Sequence, residues 1–378
     1  MARTPTPEHP PKLDNLTLAW KEGWLAFVTA PKRVQPESLS RTALNALGGK
    51  ALSDYNRSRR EWHANLGPIR TPSFAAVQED LWDIVDSNLQ DGDKAKGAVA
   101  LDAFPGLGKT TAVNDFGKKF HLREVEENGD RTEDGNERWP VCRIGLKGTT
   151  GTKSLYKAML SFYGHPGISS GNADAFAERV LRCALDCETK ILIVDEIHFL
   201  RWGNRAGVEV SNSLKHIAND FPITLIYVGV GLEARGLFSE GETYSNAVLA
   251  QTARRTTLLG MEPFEVRTEQ GRRDWRNMLL ALEKRTVLTD KQPGMLADEL
   301  SDYLFARSTG HIGSLMTLIN RGCQRAIRTG TEALTRELMD NVKNDEASEK
   351  ARRELEAAFD THRLTTQVDK PHRRSSRN

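Results

Sequence analysis

Residues 97–111 read Gly97-Ala-Val-Ala-Leu-Asp-Ala-Phe-Pro-Gly-Leu-Gly-Lys-Thr-Thr111. Ala98 to Ala103 is a short apolar run of the kind that forms a buried strand. The chain then turns on Pro105, Gly106 and Gly108 and enters a helical pattern at Lys109, with Val113, Phe116 and Phe120 on one side. Strand, Gly-rich turn, Gly-Lys-Thr and helix describe a phosphate-binding loop. Pro105, Gly106, Leu107, Gly108, Lys109, Thr110 and Thr111 would surround the phosphates of ATP. Backbone N–H groups converge there, and the positive end of the helix dipole points at them. Gly108 lacks a Cβ, so the backbone can approach closely. Lys109 supplies a cation to the β- and γ-oxygens, and the Thr110 hydroxyl ligates Mg2+. The pattern G-x-x-x-x-G-K-[ST] asks for Gly at 103, where this chain has Ala103. A methyl group is tolerable there if the residue keeps a negative φ.

The natural partner of this loop lies downstream in Ile191-Leu-Ile-Val-Asp-Glu196. Four aliphatics ending in two acids describe a parallel strand with carboxylates at its C-terminal edge, where open α/β sheets bind ligands. Asp195 would hold Mg2+ through water. Glu196 would polarise the water that attacks the γ-phosphate. Further apolar runs at 141–146, 223–228 and 258–264 alternate with helical patterns. The expected fold is therefore α/β, a doubly wound parallel sheet. The fourth strand ends in Gly229-Val-Gly231, without the polar residue that senses the γ-phosphate in many ATPases.

With 378 residues, 28% of them charged, and a net charge of +2, the chain reads as a soluble protein whose nucleic-acid affinity would come from a local patch. No apolar run approaches the ~20 residues of a membrane span, and the first residues lack a signal core. Four cysteines in this length suggest reduced thiols in a cytoplasm, with Cys183 and Cys187 as core residues. Residues 1–12 read as a disordered tail and 13–95 as a helical N-terminal region, with Thr71-Pro72 as a helix start. The nucleotide-binding α/β domain spans 96–265. Within it, residues 123–138 hold seven acids against three arginines and read as an exposed connection. A helical lid follows over 266–360, with patterns at 268–283, 294–306, 311–328 and 332–360. Residues 361–378 form a basic, disordered tail.

In that order, the chain resembles an AAA+ ATPase, a P-loop parallel-sheet sandwich with an all-helical lid. More narrowly it resembles the TniB, TnsC and MuB group of transposition regulators. The resemblance covers roughly 55–345. It rests on Tyr55 to His63 with Pro68 to Pro72, on Phe104 to Thr110, on Ile191 to Glu196 with His198, on Gln251 to Arg255, and on Ser308 to Gly313. His311 stands where the lid segment ordinarily has Gly, and no Arg occupies the second-sensor position near Gly313-Ser314.

The resemblance implies a homo-oligomeric ring or helical filament with ATP at each interface. Arg254 or Arg255 of one subunit would reach its neighbour's γ-phosphate, with Arg254 favoured. It implies non-specific contact with the backbone of double-stranded DNA, from Lys147 and Lys153 or from Arg201, Trp202 and Arg205. Arg57, Arg59 and Arg60 form a third basic group. Implied partners are a DDE-type transposase and a target-selection factor, and the implied activity is slow, switch-like ATP hydrolysis. Two other readings stay open: a signalling or defence ATPase that binds no DNA, and a helicase-loader or replication-initiation ATPase.

Overall fold

The computed structural model describes residues 17–89, 96–147, 150–199, 205–221, 223–233 and 255–368. Five strands, β1 (Ala98–Asp102), β2 (Val141–Gly145), β3 (Ile191–Asp195), β4 (Thr224–Gly229) and β5 (Thr256–Gly260), form one sheet in the order β2-β3-β4-β1-β5. Every pairing is parallel. β3 and β4 are buried along their whole length, which is why their sequences are largely apolar rather than alternating. β5 sits at the edge, half exposed, and begins two residues earlier than its apolar pattern suggested. The expected continuation to Phe264 fails: β5 stops at Gly260, opposite the last residue of β1, and Phe264 N donates to Gly310 O at 2.9 Å instead.

The helices are α1 (Lys21–Thr29), α2 (Arg41–Asn45), α3 (Gly49–Ala64), α4 (Pro72–Ser87), α5 (Lys109–Asn128), α6 (Thr152–Tyr163), α7 (Ala173–Asp186), α8 (Arg205–Asp220), α9 (Glu269–Arg285), α10 (Ser301–Ser308), α11 (Ile312–Thr329), α12 (Arg336–Asp340) and α13 (Glu346–Asp360). The chain divides into two compact units. The first comprises the described residues of Met1–Pro31, Ala75–Pro105 and Lys109–Met261; the second comprises those of Lys32–Phe74, Gly106–Gly108 and Glu262–Asn378. The sequence set 13–95 apart as one helical region; in the structure its parts group with different units.

In the second unit, α3 joins the C-terminal helices through polar side chains. Trp62 Nε1 donates to Arg285 O at 2.7 Å, and His63 Nε2 accepts from Val287 N at 3.0 Å. The guanidinium of Arg59, fully buried, forks onto Glu332 at 2.5 and 2.9 Å. Arg59 therefore does not belong to an exposed basic group with Arg57 and Arg60. The unit's core is built on Trp275, Leu279, Leu304, Leu315 and Ile319.

Three further expectations change. α5 runs on to Asn128, and Glu124 is buried with Lys190 Nζ on it at 2.5 Å, so the acid-rich stretch is not simply an exposed connection. The pattern at 332–360 breaks into α12 and α13, with Asp345 capping the latter through Ser348 N. Residues 361–368 are packed rather than tail: Thr366 is 2% exposed, and its hydroxyl lies 2.6 Å from both Ser301 Oγ and Asp302 Oδ1. Residues 1–16 and 369–378 lie outside the described residues. Cys142 and Cys323 are buried free thiols, whereas Cys183 and Cys187 are only half-buried. Among the described residues, no helix is long and apolar enough to cross a membrane, and no cluster of His, Cys, Asp and Glu suits a metal ion.

Candidate nucleotide site

Because the sheet is parallel, β1, β3 and β4 deliver their last residues to one edge, the place where such sheets bind ligands. β1 ends at Asp102 and α5 begins at Lys109, so six residues make the loop between them. Gly106 and Gly108 take φ of +79° and +91°, values that a side chain would strain. Ala103 is not among the residues of positive φ, so its methyl group is accommodated. The Lys109 ammonium folds back over the loop, donating to Ala103 O at 2.7 Å and Phe104 O at 2.9 Å. Burial pushes its pKa below the usual lysine value, against the opposing pull of Asp102, Glu196 and Asp195. Gly106–Gly108 group with the second unit, where Gly106 O accepts from Gly313 N at 2.7 Å. A Cβ on Gly313 would meet that oxygen at 2.8 Å, which explains the glycine there.

β3 carries Asp195 and Glu196 to the same edge. Asp195 is 5% exposed; its Oδ1 accepts from Glu196 N at 2.9 Å and its Oδ2 from Arg143 Nη2 at 2.7 Å. Arg143, on β2, is aimed by a second bond from its Nε to Asn114 Oδ1 on α5 at 3.0 Å. Glu196 adopts φ of +61°, and its half-exposed side chain lies 3.3 Å from His198 Nε2. Thr110 is in the first turn of α5, half-buried. An Mg2+ ion carried by a nucleotide fits this set: a hydroxyl, and a carboxylate already fixed in direction whose oxygens keep lone pairs for water.

Sequence reading missed two of these side chains. Asp102 carries the same signal as Asp195, an acid ending an apolar run, but Ala103 after it lets the sequence pass it off as part of the run. Its carboxylate accepts from Gly231 N at 2.7 Å and Leu232 N at 2.6 Å, so it holds the turn that follows β4. Arg143 carried no signal, because a basic residue in the middle of a strand looks like noise until its partner is placed.

The remaining predicted residues are dispersed. Arg255 precedes β5, whose first residue pairs with Ala98, so it stands at the opposite edge of the sheet from the loop. Its Nη1 donates to Asn219 Oδ1 at 2.7 Å. Arg201, Trp202 and Arg254 lie outside the described residues, as does the side chain of Arg205. Lys147 and Lys153 are both exposed. Lys153 is joined by two cations that the sequence reading passed over: its Nζ, Lys157 Nζ and the Arg179 guanidinium stand 5.5, 5.6 and 5.5 Å from the ring centre of buried Phe176. No carboxylate pairs with any of the three among the described residues. The i, i+4 spacing of Lys153 and Lys157 was legible; Arg179 comes from α7 and was not.

Residues 88–242 match the family described as the bacterial TniB protein. No curated protein matches the chain. Among solved structures, the Orc2 protein of Aeropyrum pernix, in ADPNP–ADP complexes, is 14% identical with a TM-score of 0.57, over 78% of this chain and 71% of that one. The Orc1 protein of the same organism, in complex with DNA, is 18% identical with a TM-score of 0.52, over 79% of this chain and 70% of that one. At these identities the likeness concerns the fold, and the fold is the one expected, an α/β P-loop sheet with helical regions. The family match covers residues 88–242, less than half of the chain, and over that stretch the chain is similar to the bacterial TniB protein.

Proposed function

We propose that this protein is an ATP-dependent, DNA-binding regulator of transposition in which hydrolysis switches an assembly off. The observation that carries the ATPase reading is the convergence of Lys109, Thr110, Asp195 and Glu196 on one edge of the sheet. When a nucleotide enters, the Lys109 ammonium exchanges Ala103 O and Phe104 O for phosphate oxygens. The loop amides and the N-terminus of α5 meet the same charge. Thr110 would hold Mg2+ directly and Asp195 through water, with Arg143 fixing the carboxylate; the ion supplies charge neutralisation at the phosphates. Glu196 orients and polarises the attacking water, and His198 restricts where its carboxylate points.

Arg255 lies about 17 Å of strand away from that edge. It is therefore unsuited to its own phosphates and suited to those of a neighbouring copy, which supports a ring or filament with ATP between subunits. Arg254, next to it in sequence, remains the other candidate for the role. The basic cluster of Lys153, Lys157 and Arg179, with Lys147 nearby in sequence, supports contact with the DNA backbone. The TniB match favours transposition over replication initiation, with a DDE-type transposase and a target-selection factor as partners.

Sedimentation of the full chain with a slowly hydrolysed ATP analogue, with and without duplex DNA, tests this reading. Assemblies should need both nucleotide and DNA. With ATP itself, Glu196→Gln should stay assembled where the wild type disassembles, and Lys109→Ala should neither bind nucleotide nor assemble. Oligomers indifferent to DNA would turn the reading to a signalling ATPase. A Glu196→Gln chain that outlasts the wild type in no condition would remove the switch.

A further inference from the structure

Asp102 is the last residue of β1, in register with Gly229 of β4 on one side and Gly260 of β5 on the other. Its Oδ1 accepts from Gly231 N at 2.7 Å, and its Oδ2 accepts from Leu232 N at 2.6 Å and Glu233 N at 3.4 Å. Three consecutive amides converging on one point form a nest, a concavity that selects an anion. Gly231 allows it by taking φ of +63°. In this protein the anion is its own carboxylate, one residue ahead of the phosphate loop.

Two facts give the arrangement a consequence. The end of β4 carries no polar side chain, only Gly229, Val230 and Gly231, so nothing there can bond to a γ-phosphate through a side chain. And the charge of Asp102 acts on the Lys109 ammonium, which places the carboxylate within the field of the phosphates that Lys109 would bind.

We infer that Asp102 is a positioning residue through which the site distinguishes a nucleoside triphosphate from a diphosphate. This rests on the ATPase reading above. A γ-phosphate adds negative charge at the edge where the carboxylate already sits. The two repel, and the amides of Gly231, Leu232 and Glu233 are shared between them or drawn from one to the other. A diphosphate, lacking that charge, leaves the carboxylate seated. The turn after β4 is thereby tied to what occupies the loop by a carboxylate on the neighbouring strand, with no side chain of its own.

The test is a pair of affinities, for ADP and for a slowly hydrolysed ATP analogue, in the wild type, Asp102→Asn and Asp102→Glu. Removing the charge should raise the preference for the triphosphate at least fivefold, while Asp102→Glu, which keeps the charge, stays within twofold of the wild type. A residue that merely held the fold would weaken both nucleotides equally, and an unchanged ratio overturns the inference. Hydrogen exchange in the wild type gives a second reading, which stands even if Asp102→Asn fails to fold. The amides of Gly231 to Glu233 should exchange at least threefold faster or slower with the triphosphate analogue than with ADP. Equal protection in both states overturns the inference as well. A wild-type chain that binds neither nucleotide would instead overturn the ATPase reading itself, and the inference with it.

Discussion

His63 and His121 are both buried, and each uses a ring nitrogen as an acceptor, His63 from the Val287 amide and His121 from Trp24 Nε1 at 3.3 Å. A proton on either acceptor would turn it into a donor facing a donor. Burial pushes both pKa values down to about 4, helped in His63 by the adjacent charge of Arg59. The unfolded chain, with histidines near their ordinary value, binds more protons between pH 6.5 and 4, so stability rises with pH across that window. Each ring contributes stability present above pH 6.5 and lost as the pH falls toward 4, ~3 kcal/mol apiece. Urea titrations at several pH values should reveal the slope, and His121→Gln should remove its share. A flat profile between pH 7 and 4 would mean that the rings are not held neutral. Neither histidine was legible as a buried acceptor, because a lone His in a helical pattern gives no sign of which atom faces it. Lys109, Asp195 and Glu196 were legible because their chemistry demands fixed neighbours along the chain. Asp102 was not, because its partners lie 129 and more residues away.

At the scale of elements, α3 is fastened by a buried ion pair rather than by an apolar stripe. Burial alone would push the Glu332 carboxyl up, but the hydrogen bonds from Arg59 and the Thr289 amide hold it below the usual carboxylate value. Arg59→Ala leaves that carboxylate buried without its partner and should cost about 3–5 kcal/mol in denaturant unfolding. Arg57, which is 63% exposed and pairs with Asp54, should cost no more than about 0.5 kcal/mol when replaced by Ala. Equal losses for the two variants would contradict the buried geometry. The run of arginines at 57–60 did not separate these fates, since depth depends on what packs against the helix. The same holds in α5. Phe116, Phe120 and Glu124 follow at intervals of four on one face, yet the acids around Glu124 drew it into a surface reading. Strands were easier: a short apolar run suits a buried parallel strand, so β4 shifted by one residue and only β5, at the exposed edge, by more.

For the whole molecule, a net charge of +2 gives no general attraction to DNA, so contact depends on where the cations gather. Lys153 and Lys157 lie on one face of α6, and Arg179 of α7 is bound locally to Gly167 O and Ser170 O. If the two lysines touch phosphates, replacing both with Ala should lower the slope of log affinity against log salt by about 2, with little change among DNA sequences. An unchanged slope would assign them to ordinary solvation. The overall order of elements was legible, since each parallel strand needs a crossover. The return of residues 32–74 to the C-terminal helices was not, because no local pattern encodes a partner more than 200 residues distant.

The placement of Arg255 at the sheet edge opposite the phosphate loop has a consequence for polarity. In the assembly proposed above, copies joined by an arginine on one side and a nucleotide on the other would meet head to tail, and such a contact does not limit its own number unless the rotation closes. An open row has two unlike ends. One presents an arginine with no phosphate before it, and the other a nucleotide that no arginine reaches. The terminal nucleotide would then be the last to hydrolyse, and a row of this protein would lose its inner bonds before its tip.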